Sequence, residues 1–565
     1  MGTLFSAFDI GRSGLQVAQV QLDVTAHNIA NVNKEGFSRQ RVELTTRRPV
    51  NLGFGQVGRG VQVGRITRLR AEFLDFSYRR QNHELGRSEI ETRAYQLVED
   101  LLLEPTEQGF GSRLSQFFTA ATAFANSVES IPARQAFLSE AQALADGLNQ
   151  LTSQISNLRT DANAQVKSIV SEINGISGRI DQLNKSIAAQ EVGGAVASEL
   201  RDERDLQLDR LSRLVKVNYR EVEDGTINVF IGTSELVSSS GAREISAVVN
   251  SSLDPERPDL VEVRDTTTNI LIDIQGGELR GALNVRDVVL TDIDNQLDTL
   301  AAGLIQQANT IHTQGNGLNN YSDPILSSNR VSNAATPLVS AGLPFPVTPG
   351  TIDVVVYDNT GTPTTTTVSI TNTTTLNDLA TALSGIPGFT ASVTVDGNLQ
   401  VDSQAGFTYS FANDSAGLLP ALGVNVLFTG SDARSIGVNQ DLINDPALLT
   451  SGYSTNPLDT GDNEAALALA NIQQSLFYSG GTATIGEFYE NFITETGVNA
   501  RTESQTFDAQ TTLVDNFEVR RQEVSGVSID EEVTFLLQFQ RAFEASSRVI
   551  STVDRMLETL LNTAL

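Results

Sequence analysis

Both ends of the chain carry apolar residues at the seven-residue spacing of a coiled coil. One repeat runs from residue 4 to residue 29 and the other from Ile529 to Leu560. Because such a stripe is buried only against another helix, we expect each end to form a helix and the two helices to pair. The residues predicted at this interface are Leu4, Phe8, Leu15, Leu22, Ile29, Leu536, Phe539, Phe543, Ile550, Val553, Leu557 and Leu560.

The first of these helices has a second apolar side. At 100° per residue, Ile10, Val17 and Val24 fall about 200° from the main stripe. Two arrangements fit: a core helix with neighbours all round, or a helix sandwiched between subunits of an assembly. We favour the second, since a chain-terminal segment without such partners is usually frayed.

Long helices are predicted between the two ends. From Phe137 to Ile187 the apolar residues are spaced alternately by three and four, which predicts one continuous helix. Further periodic segments run from Leu290 to Ile311 and from Phe507 to Val524. We expect these helices to form one bundle.

Two β-rich regions interrupt the helices. The first is a predicted hairpin with a two-residue turn at Asp224-Gly225. The second, residues 319-450, is rich in Thr, Val, Gly, Asn and Pro. It contains a predicted hairpin over 351-370, a short helix with a capping box from Thr375 to Asp378, and a hairpin turning at Asp396-Gly397.

The fold class predicted from these patterns is mainly α with β insertions. Its parts are a coiled coil of the N- and C-terminal helices, a long-helix bundle and an inserted β-rich outer domain. The predicted domains are a terminal coiled coil (1-33 and 531-565), an extended basic connector (34-75), a helix bundle (76-318 and 451-530) with a β-hairpin region near 215-285, and the outer β domain (319-450).

The charge distribution bears on possible partners. The net charge is -29, which argues against nonspecific binding to nucleic acid or anionic lipid. Between Lys34 and Arg80, however, eleven Lys and Arg stand against four Asp and Glu, a net +7. Because the chain supplies many carboxylates, we expect these cations to meet acidic groups on neighbouring subunits rather than nucleic acid.

Carboxylate pairs are frequent enough to raise the possibility of a hydrolase. On a predicted helix, Asp202 and Asp205 alternate with arginines, and we interpret Arg201 and Asp205 as an i,i+4 pair on a solvated face. Residues 530-532 are acidic at a predicted helix N-terminus, where the helix dipole favours negative charge. We therefore predict no carboxylate-based catalysis.

Other catalytic or binding chemistry lacks a signature. There is no cysteine, and the three histidines are scattered singly. No phosphate-binding loop, serine-hydrolase or zinc-protease motif occurs in the sequence. We predict no catalytic residues, no cofactor and no metal site. No apolar run reaches the ~18 residues of a membrane span, so membrane insertion is not expected either.

The stretch "HNIANVNKEGFSRQR" follows the first helix. Asparagine side chains compete with helical hydrogen bonds, and a glycine can adopt the left-handed conformation that ends a helix. We predict a helix-ending turn after which the chain leaves as an arginine-rich strand. The residues assigned to this motif are Asn28, Asn31, Asn33, Gly36, Phe37 and Arg39.

Three segments resemble known sequences. "SGLQVAQVQLDVTAHNIANVNKEGFSRQRVEL" and "SGVSIDEEVTFLLQFQRAFEASSRVISTVDRMLETLL" are similar to the paired terminal signatures of rod, hook and hook-associated proteins, the axial proteins of the bacterial flagellum. The interior "SELRDERDLQLDRLSRLVKVNYREVEDGTINVFIGTSELV" resembles the hook-associated protein family of the hook-filament junction, the FlgK family.

This resemblance implies a non-enzymatic structural protein that joins hook to filament. The terminal helices would line the inner tube, and they would be disordered before assembly. Implied partners are other copies in a helical ring, the hook protein, a second junction protein and an export chaperone at the C-terminal helix. The implied location is the extracellular flagellum, reached by type III export without a cleaved signal peptide.

Two alternatives remain open. The first is another axial protein such as the hook protein, from which the "LRDERDLQLDRLSRLV" segment and the long helix before it distinguish this chain. The second is a secreted adhesin or enzyme whose β domain binds a surface ligand. A deep polar pocket within residues 319-450 would favour that alternative.

Overall fold

The computed structural model describes residues 2-51, 55-104, 106, 109-255 and 257-564. The chain divides into two compact units. The first unit comprises residues 1-93, 161-285 and 502-565, and the second comprises 94-160 and 286-501. Each unit is therefore built from segments that are far apart in the sequence.

The α-helices of the described residues are, in chain order, α1 (Gly2–Ala30), α2 (Glu72–Leu102), α3 (Phe110–Ala125), α4 (Ile131–Glu191), α5 (Ser198–Leu214), α6 (Gly277–Asn284), α7 (Leu290–His312), α8 (Leu376–Ser384), α9 (Leu418–Leu422), α10 (Gln440–Asn444), α11 (Glu464–Asn471), α12 (Ile485–Ser525) and α13 (Ile529–Ala564). A π-helical turn (Val285–Val289) joins α6 to α7. None of these helices combines the length and the apolar character that a membrane span requires.

The strands of the first unit are β1 (Gln40–Thr46), β2 (Val50–Asn51), β3 (Gln56–Val57), β4 (Val61–Arg68), β5 (Val217–Glu221), β6 (Ile227–Ile231), β7 (Ser234–Ser238), β8 (Gly241–Ala242), β9 (Ile245–Val249) and β10 (Val261–Asp265). They form antiparallel groups: β1 with β4, β2 with β3, β5-β6-β7-β8, and β9 with β10.

The strands of the second unit are β11 (Ile325–Leu326), β12 (Gly350–Tyr357), β13 (Pro363–Ile370), β14 (Phe389–Val393), β15 (Leu399–Ser403), β16 (Thr408–Ala412), β17 (Phe428–Thr429) and β18 (Gly437–Val438). They pair in the orders β13-β12-β16, β11-β15-β14 and β17-β18, all antiparallel.

In the first unit, asparagines on the C-terminal half of α4 fix the strands that pack on it. Each asparagine donates its side-chain amide to a backbone carbonyl, and its side-chain oxygen accepts a backbone N–H from the same strand region. The accepting oxygens pair Asn163 with Val261, Asn174 with Ile245 and Asn184 with Ile227. Because each satisfies two backbone groups, they set where the strands sit along the helix.

Phenylalanines form the core at the start of the second unit. The ring of Phe137, on α4, lies 5.3 Å from Phe117 and 5.6 Å from Phe124 on α3. Phe428 of β17 lies 6.0 Å from Phe117. All four side chains are fully buried, and such aromatic pairs add stabilisation beyond the area that they bury.

The predicted fold class is confirmed: the chain is mainly helical, with β insertions and a helix at each end. The periodic segments lie within α1, α4, α7, α12 and α13. The hairpins β12-β13 and β14-β15 are present, and Thr375 and Asp378 form the predicted capping box.

The predicted turn at Asp224-Gly225 was wrong in length. Val222 and Thr226 are hydrogen-bonded through Val222 N–H, and three residues lie between them. Gly225 has φ of +81°, and its N–H donates to the carbonyl of Val222. The longer turn places the left-handed residue third, an arrangement in which glycine is favoured as it is in two-residue turns.

The predicted division into four domains remains a prediction. The two compact units of the structure have other boundaries. Residues 1-33, 34-75 and 531-565 belong to one compact unit together with the β-hairpin region. The limits of the units fall inside α2, α4 and α12. A helix that continues through a boundary gives no change of composition for sequence reasoning to detect.

His312 is fully buried in the second unit and serves as a structural group. One ring nitrogen, Nδ1, lies 2.8 Å from the carbonyl of Asn425, and Nε2 accepts the N–H of Thr450 at 3.2 Å. This pattern requires a neutral ring with its proton on Nδ1. Burial lowers the pKa of His312 to about 4.

We expect acid to weaken the second unit through His312. The unfolded chain binds a proton at pH ~6.5 and the folded chain only near pH 4, so stability is lost as pH falls between these values. Between pH 7 and pH 4.5 the loss should be about 2–3 kcal/mol larger than in His312→Gln. Hydrogen exchange at the Thr450 amide would measure it, and an equal pH dependence in both proteins would contradict the assignment.

Candidate assembly interface

The side chain of Asn28 joins three elements of the first unit. It donates to the carbonyl of Gln40 at 3.0 Å and accepts the N–H of the same residue at 3.0 Å. It also donates to Oε2 of Glu532, in the first turn of α13, at 3.1 Å. The end of α1, the start of β1 and the start of α13 therefore meet at one buried amide.

Arg39 completes this contact. Its guanidinium donates to Oε1 of Glu532 at 2.7 Å and to Oε2 of Glu531 at 2.8 Å. The same guanidinium lies 5.5 Å from the ring centroid of Phe535. Because the Glu532 side chain is only 3% exposed and the Arg39 side chain 16%, little water screens the pair. We call Asn28, Arg39 and Glu532 the terminal joint.

The other motif residues shape the turn itself. Asn31 donates its amide to the carbonyl of His27 at 2.9 Å, so it competes with the helix as predicted. Gly36 has φ of +75°, and a Cβ added there would lie 3.2 Å from Leu206. Phe37 makes an edge contact with His27, with ring centroids 5.5 Å apart. Asn33 is exposed, and its side chain makes no hydrogen bond within the described part of the chain.

After this turn the connector binds α5. The N–H and hydroxyl of Ser38 donate to Asp202 at 3.0 and 2.6 Å. Arg68 donates to Asp202 at 2.8 Å and to Asp205 at 2.9 Å, and Arg70 lies 3.1 Å from Asp205. The connector is therefore held along one face of α5 by buried ionic contacts.

A second row of contacts adds α2 and α12 to the same cluster. Arg79 donates to Asp209 at 2.6 Å, and Arg521 of α12 donates to Asp209 at 2.7 Å. Arg521 also lies 2.9 Å from Asp75, which accepts two bonds from Arg70. The buried charges tie the connector to three helices of the first unit.

This arrangement corrects two predictions. Asp202 and Asp205 do not lie on a solvated face, and Arg201 pairs with Glu191 and Glu221 rather than with Asp205. Most arginines of the basic connector also form ion pairs with carboxylates of their own chain. Sequence periodicity missed both points because an Asp-Arg alternation looks the same on a solvated helix and on a buried one.

Burial and charge act in opposite directions on the two aspartates. Burial raises the pKa of Asp202, and its contacts with Arg68 and Ser38 do not fully offset this effect. Burial also acts to raise the pKa of Asp205, but the surrounding arginines, Arg70 first, outweigh it and lower the value to about 2. Asp205 is thus the charged centre of the cluster.

The two terminal helices pack closely through small residues. A Cβ added to Gly11 would lie 3.1 Å from Ile550, and one added to Gly14 would lie 2.8 Å from the hydroxyl of Ser546. Ala18 of α1 is buried at the same side. The close approach uses small residues of α1 that are not among the predicted apolar interface residues.

The predicted interface residues lie along this helix pair. Val553 is buried and Leu560 is exposed. The side chain of Leu4 lies outside the described residues. The remaining members are half-buried: Phe8, Leu15, Leu22, Ile29, Leu536, Phe539, Phe543, Ile550 and Leu557. Their role in assembly stays a prediction.

The second apolar side of α1 is covered in part by its own chain, but Ile10 on this side is 39% exposed, so its contact with a neighbouring subunit stays a prediction. Val17 and Val24 are buried, and α1 packs along β1 and β4 as well as α13. The N–H of Val61 donates to the hydroxyl of Ser13 at 3.3 Å. At Val17 and Val24 the helix therefore has neighbours from its own chain on both sides, as in the first of the two predicted arrangements.

The first unit also carries charged side chains that form no ion pair within the described residues, and exposed apolar side chains. Within the described residues, Arg41, Arg47 and Arg48 of the connector make no ion pair. On α13 the same holds for the carboxylates Glu544, Asp554 and Glu558. Exposed apolar side chains follow α13 beside them: Phe535, Val549, Met556 and Leu560.

One recess within the β-rich part of the second unit has few ionisable groups in its lining. This recess of about 520 Å³ lies between the segments 330-342 and 394-397. Val395 at its rim is fully exposed, and the ionisable lining residues are Arg330 and Asp396. Among the described residues no group of three His, Cys, Asp or Glu is placed to hold a metal ion.

Family models match the two ends and the interior of the chain. The flagella basal body rod protein model matches residues 8–37. The model of the flagellar hook-associated protein FlgK helical domain matches residues 95–324. The model of the flagellar basal body rod FlgEFG protein C-terminal region matches residues 520–563.

Curated relatives align over nearly the whole length. Flagellar hook-associated protein 1 of Salmonella typhimurium is 29% identical over 574 residues, which cover 97% of this chain and 98% of that protein. The protein of the same name from Bacillus subtilis is 24% identical over 577 residues, covering 100% and 99%. The one from Escherichia coli is 26% identical over 575 residues, covering 97% and 98%.

A solved structure shares the fold. The flagellar hook junction protein FlgK from Burkholderia pseudomallei superimposes with a TM-score of 0.50 at 18% sequence identity. The match covers 79% of this chain and 100% of that one.

We expect Asp205→Asn to destabilise the first unit, because it leaves buried arginines without their central counter-charge. The cost should be about 3 kcal/mol, or about 6–12 °C in melting temperature at pH 7. The folded pKa of Asp205 is depressed, so its stabilisation is present above pH ~4 and lost as pH falls towards 2.

Glu203→Gln is the matched control, since this residue lies on the same helix but is 39% exposed. It should change stability by less than about 0.5 kcal/mol. Thermal unfolding at pH 7 and pH 3 would separate the variants. Equal melting temperatures for both variants at pH 7 would contradict the central role of Asp205.

Proposed function

We propose that this chain, which belongs to the FlgK family of flagellar hook-associated proteins, is a structural subunit of the junction between the hook and the filament of the bacterial flagellum. The observation that carries the proposal is the terminal joint, in which Asn28 and Arg39 hold Glu532. It holds the two terminal helices, which carry the rod-protein signatures, as one element.

The shape of this element suits assembly. α13 is 36 residues long and keeps apolar side chains exposed along the side that α1 does not cover. Exposed apolar stripes of this kind mark interaction surfaces. In the assembled junction we infer that these stripes pack against other copies, with the terminal helices towards the inner tube and residues 319-450 towards the outside.

The unpaired charges would determine how a neighbouring copy is oriented. Arg41, Arg47 and Arg48 on one subunit are complementary to Glu544, Asp554 and Glu558 on α13 of the next. Two different surfaces that fit each other make a heterologous contact, which builds a ring or a helix rather than a two-fold dimer. We propose this contact as the source of the helical ring.

The remaining partners follow from the family. We propose that the hook protein and a second junction protein contact the two ends of the ring, and that an export chaperone covers the C-terminal helix before assembly. Apolar side chains on α13 support a chaperone contact, because they would otherwise be exposed in the cytoplasm. We further propose type III export without a cleaved signal peptide and an extracellular location at the junction. The expectation that the terminal helices are disordered before assembly is not part of this proposal, because the terminal joint forms within one chain.

No catalytic role is proposed. The buried ionic cluster of α5 consists of paired arginines and aspartates, each with a partner that accounts for it structurally. The ionisable residues that line the recess of the β-rich region are Arg330 and Asp396, so its lining holds no pair of carboxylates. These features favour a structural protein over the adhesin or enzyme alternative.

In a strain that lacks the gene, the full chain should restore filaments and a chain without residues 535-565 should leave hooks bare. Val553→Asp should act as the truncation does, because it puts a charge into the buried side of α13. Val395→Asp, the same change at a fully exposed site, should restore filaments. Electron microscopy and swimming assays measure the outcome, and normal motility of the truncated chain would refute the proposal.

Charge reversal tests the contact between copies. Arg47→Glu with Arg48→Glu should lower filament attachment and make the remaining attachment sensitive to salt, because repulsion replaces attraction across the interface. The control is Lys167→Glu with Arg501→Glu, two exposed cations on other helices. Counting filaments per cell at two ionic strengths would reveal the effect; identical counts in both double variants would count against the contact.

A further inference from the structure

A row of arginines follows one exposed side of α13. Arg541, Arg548 and Arg555 are spaced by seven residues, so they lie within about 40° of one another around the helix. All three are exposed, and none forms an ion pair within the described residues. Arg555 donates only to a backbone carbonyl of its own helix, that of Ser551, at 3.4 Å. We call these three residues the arginine row.

The arginine row faces away from α1. Ser546 and Ile550 are the residues of α13 that approach Gly14 and Gly11 of α1. Arg548 is two residues from each of them, which places it about 160° away around the helix. The chain itself therefore offers this row no partner helix, and only a complementary surface elsewhere would give it one.

The exposed side of α1 carries carboxylates at the matching spacing. Asp9, Gln16 and Asp23 are also seven residues apart, and we call them the acidic row. Gln16 and Asp23 are exposed, and their side chains have no partner within the described residues. Asp9 lies 3.5 Å from Arg59, but both side chains are at least 39% exposed, so this pair adds little stability. Gln16 stands about 160° around α1 from Gly14, so the acidic row faces away from α13.

The two rows match in register. Within the chain α1 runs antiparallel to α13, because Gly14 lies beside Ser546 while Asn28 donates to Glu532. Arg12 stands about 40° to one side of the acidic row and leaves this side of α1 with a net negative charge. When α1 of one copy is laid in the same antiparallel direction on the far side of α13 of another, the rows meet in the pairs Asp9–Arg555, Gln16–Arg548 and Asp23–Arg541.

We propose that the acidic row of α1 in one copy docks on the arginine row of α13 in the next copy. The inference rests on the proposed function, since it names the surfaces through which copies of the junction subunit meet. Each chain presents one row on each outer side of its pair of terminal helices, so the contact is heterologous and repeats from copy to copy. It uses side chains of α13 other than those assigned to Arg47 and Arg48.

Cysteine cross-linking tests the contact directly, because the chain has no cysteine of its own. The full chain with Gln16→Cys and Arg548→Cys is assembled into flagella in a strain that lacks the gene, and the flagella are treated with copper phenanthroline. A ladder of disulfide-linked chains should appear on a non-reducing gel. The two cysteines cannot join within one chain, since they lie on opposite sides of the helix pair and a disulfide requires Cα atoms within about 7 Å.

The matched control is Gln16→Cys with Val549→Cys. Val549 is exposed and next to Arg548 in the sequence, but it lies about 100° around α13 from it, so this variant should give no ladder. An equal ladder in both variants would overturn the proposal. Flagella that carry filaments but give no ladder with Gln16→Cys and Arg548→Cys would also overturn it, while leaving the junction role intact.

Charge exchange gives a second test that needs no cross-link. Asp9→Arg with Asp23→Arg, or Arg541→Asp with Arg555→Asp, should each lower the number of filaments per cell, because like charges then face each other across the contact. All four changes in one chain should bring filaments back towards the wild-type number, since each reversed row then meets the reversed row of the next copy. A fourfold variant no better than either double variant, or full filament numbers in both double variants, would refute the proposal.

Discussion

The contact of Glu532 with Asn28 and Arg39 is the interaction on which the arrangement of the first unit depends. It joins residues that are 504 and 493 positions apart in the sequence. Closing so long a loop costs conformational entropy, which increases only slowly with length. The contacts that close the loop must therefore be specific as well as favourable. A buried carboxylate with a charged donor and an amide donor meets that condition, because a shifted register would leave it unpaired.

Because α13 is largely exposed, apolar packing alone does little to fix its position, and the contact of Glu532 with Asn28 and Arg39 is needed for this purpose. Most of its residues are exposed in the single chain, and only Val553 among its predicted interface residues is fully buried. Small residues at Gly11 and Gly14 allow α1 to approach closely, but they bury little area of their own. The polar contact at the first turn of α13 therefore sets the position of a helix whose apolar surface is largely exposed in the single chain. The α5 cluster extends the same principle along the connector.

Local patterns predicted much of this fold. Apolar spacing located α1, α4, α7 and α13, and turn chemistry located the hairpins of the second unit. What they could not show was which residues meet over long distances. The sequence pattern around Asp205 predicts a solvated helix, because it does not show that Arg70 and Arg79 surround this residue. The sequence also does not indicate that the asparagines of α4 bind the backbones of strands. Long-range polar contacts follow from topology rather than from periodicity.

The most direct measurement is hydrogen exchange of the α13 amides in Arg39→Ala, Glu532→Ala and the double variant. If the pair acts as one contact, the double variant should lose about as much protection as either single variant, with a coupling of about 1–3 kcal/mol. Protection losses that simply add would mean that the two residues stabilise α13 separately. That result would contradict the account of a single joint that holds the terminal helices together.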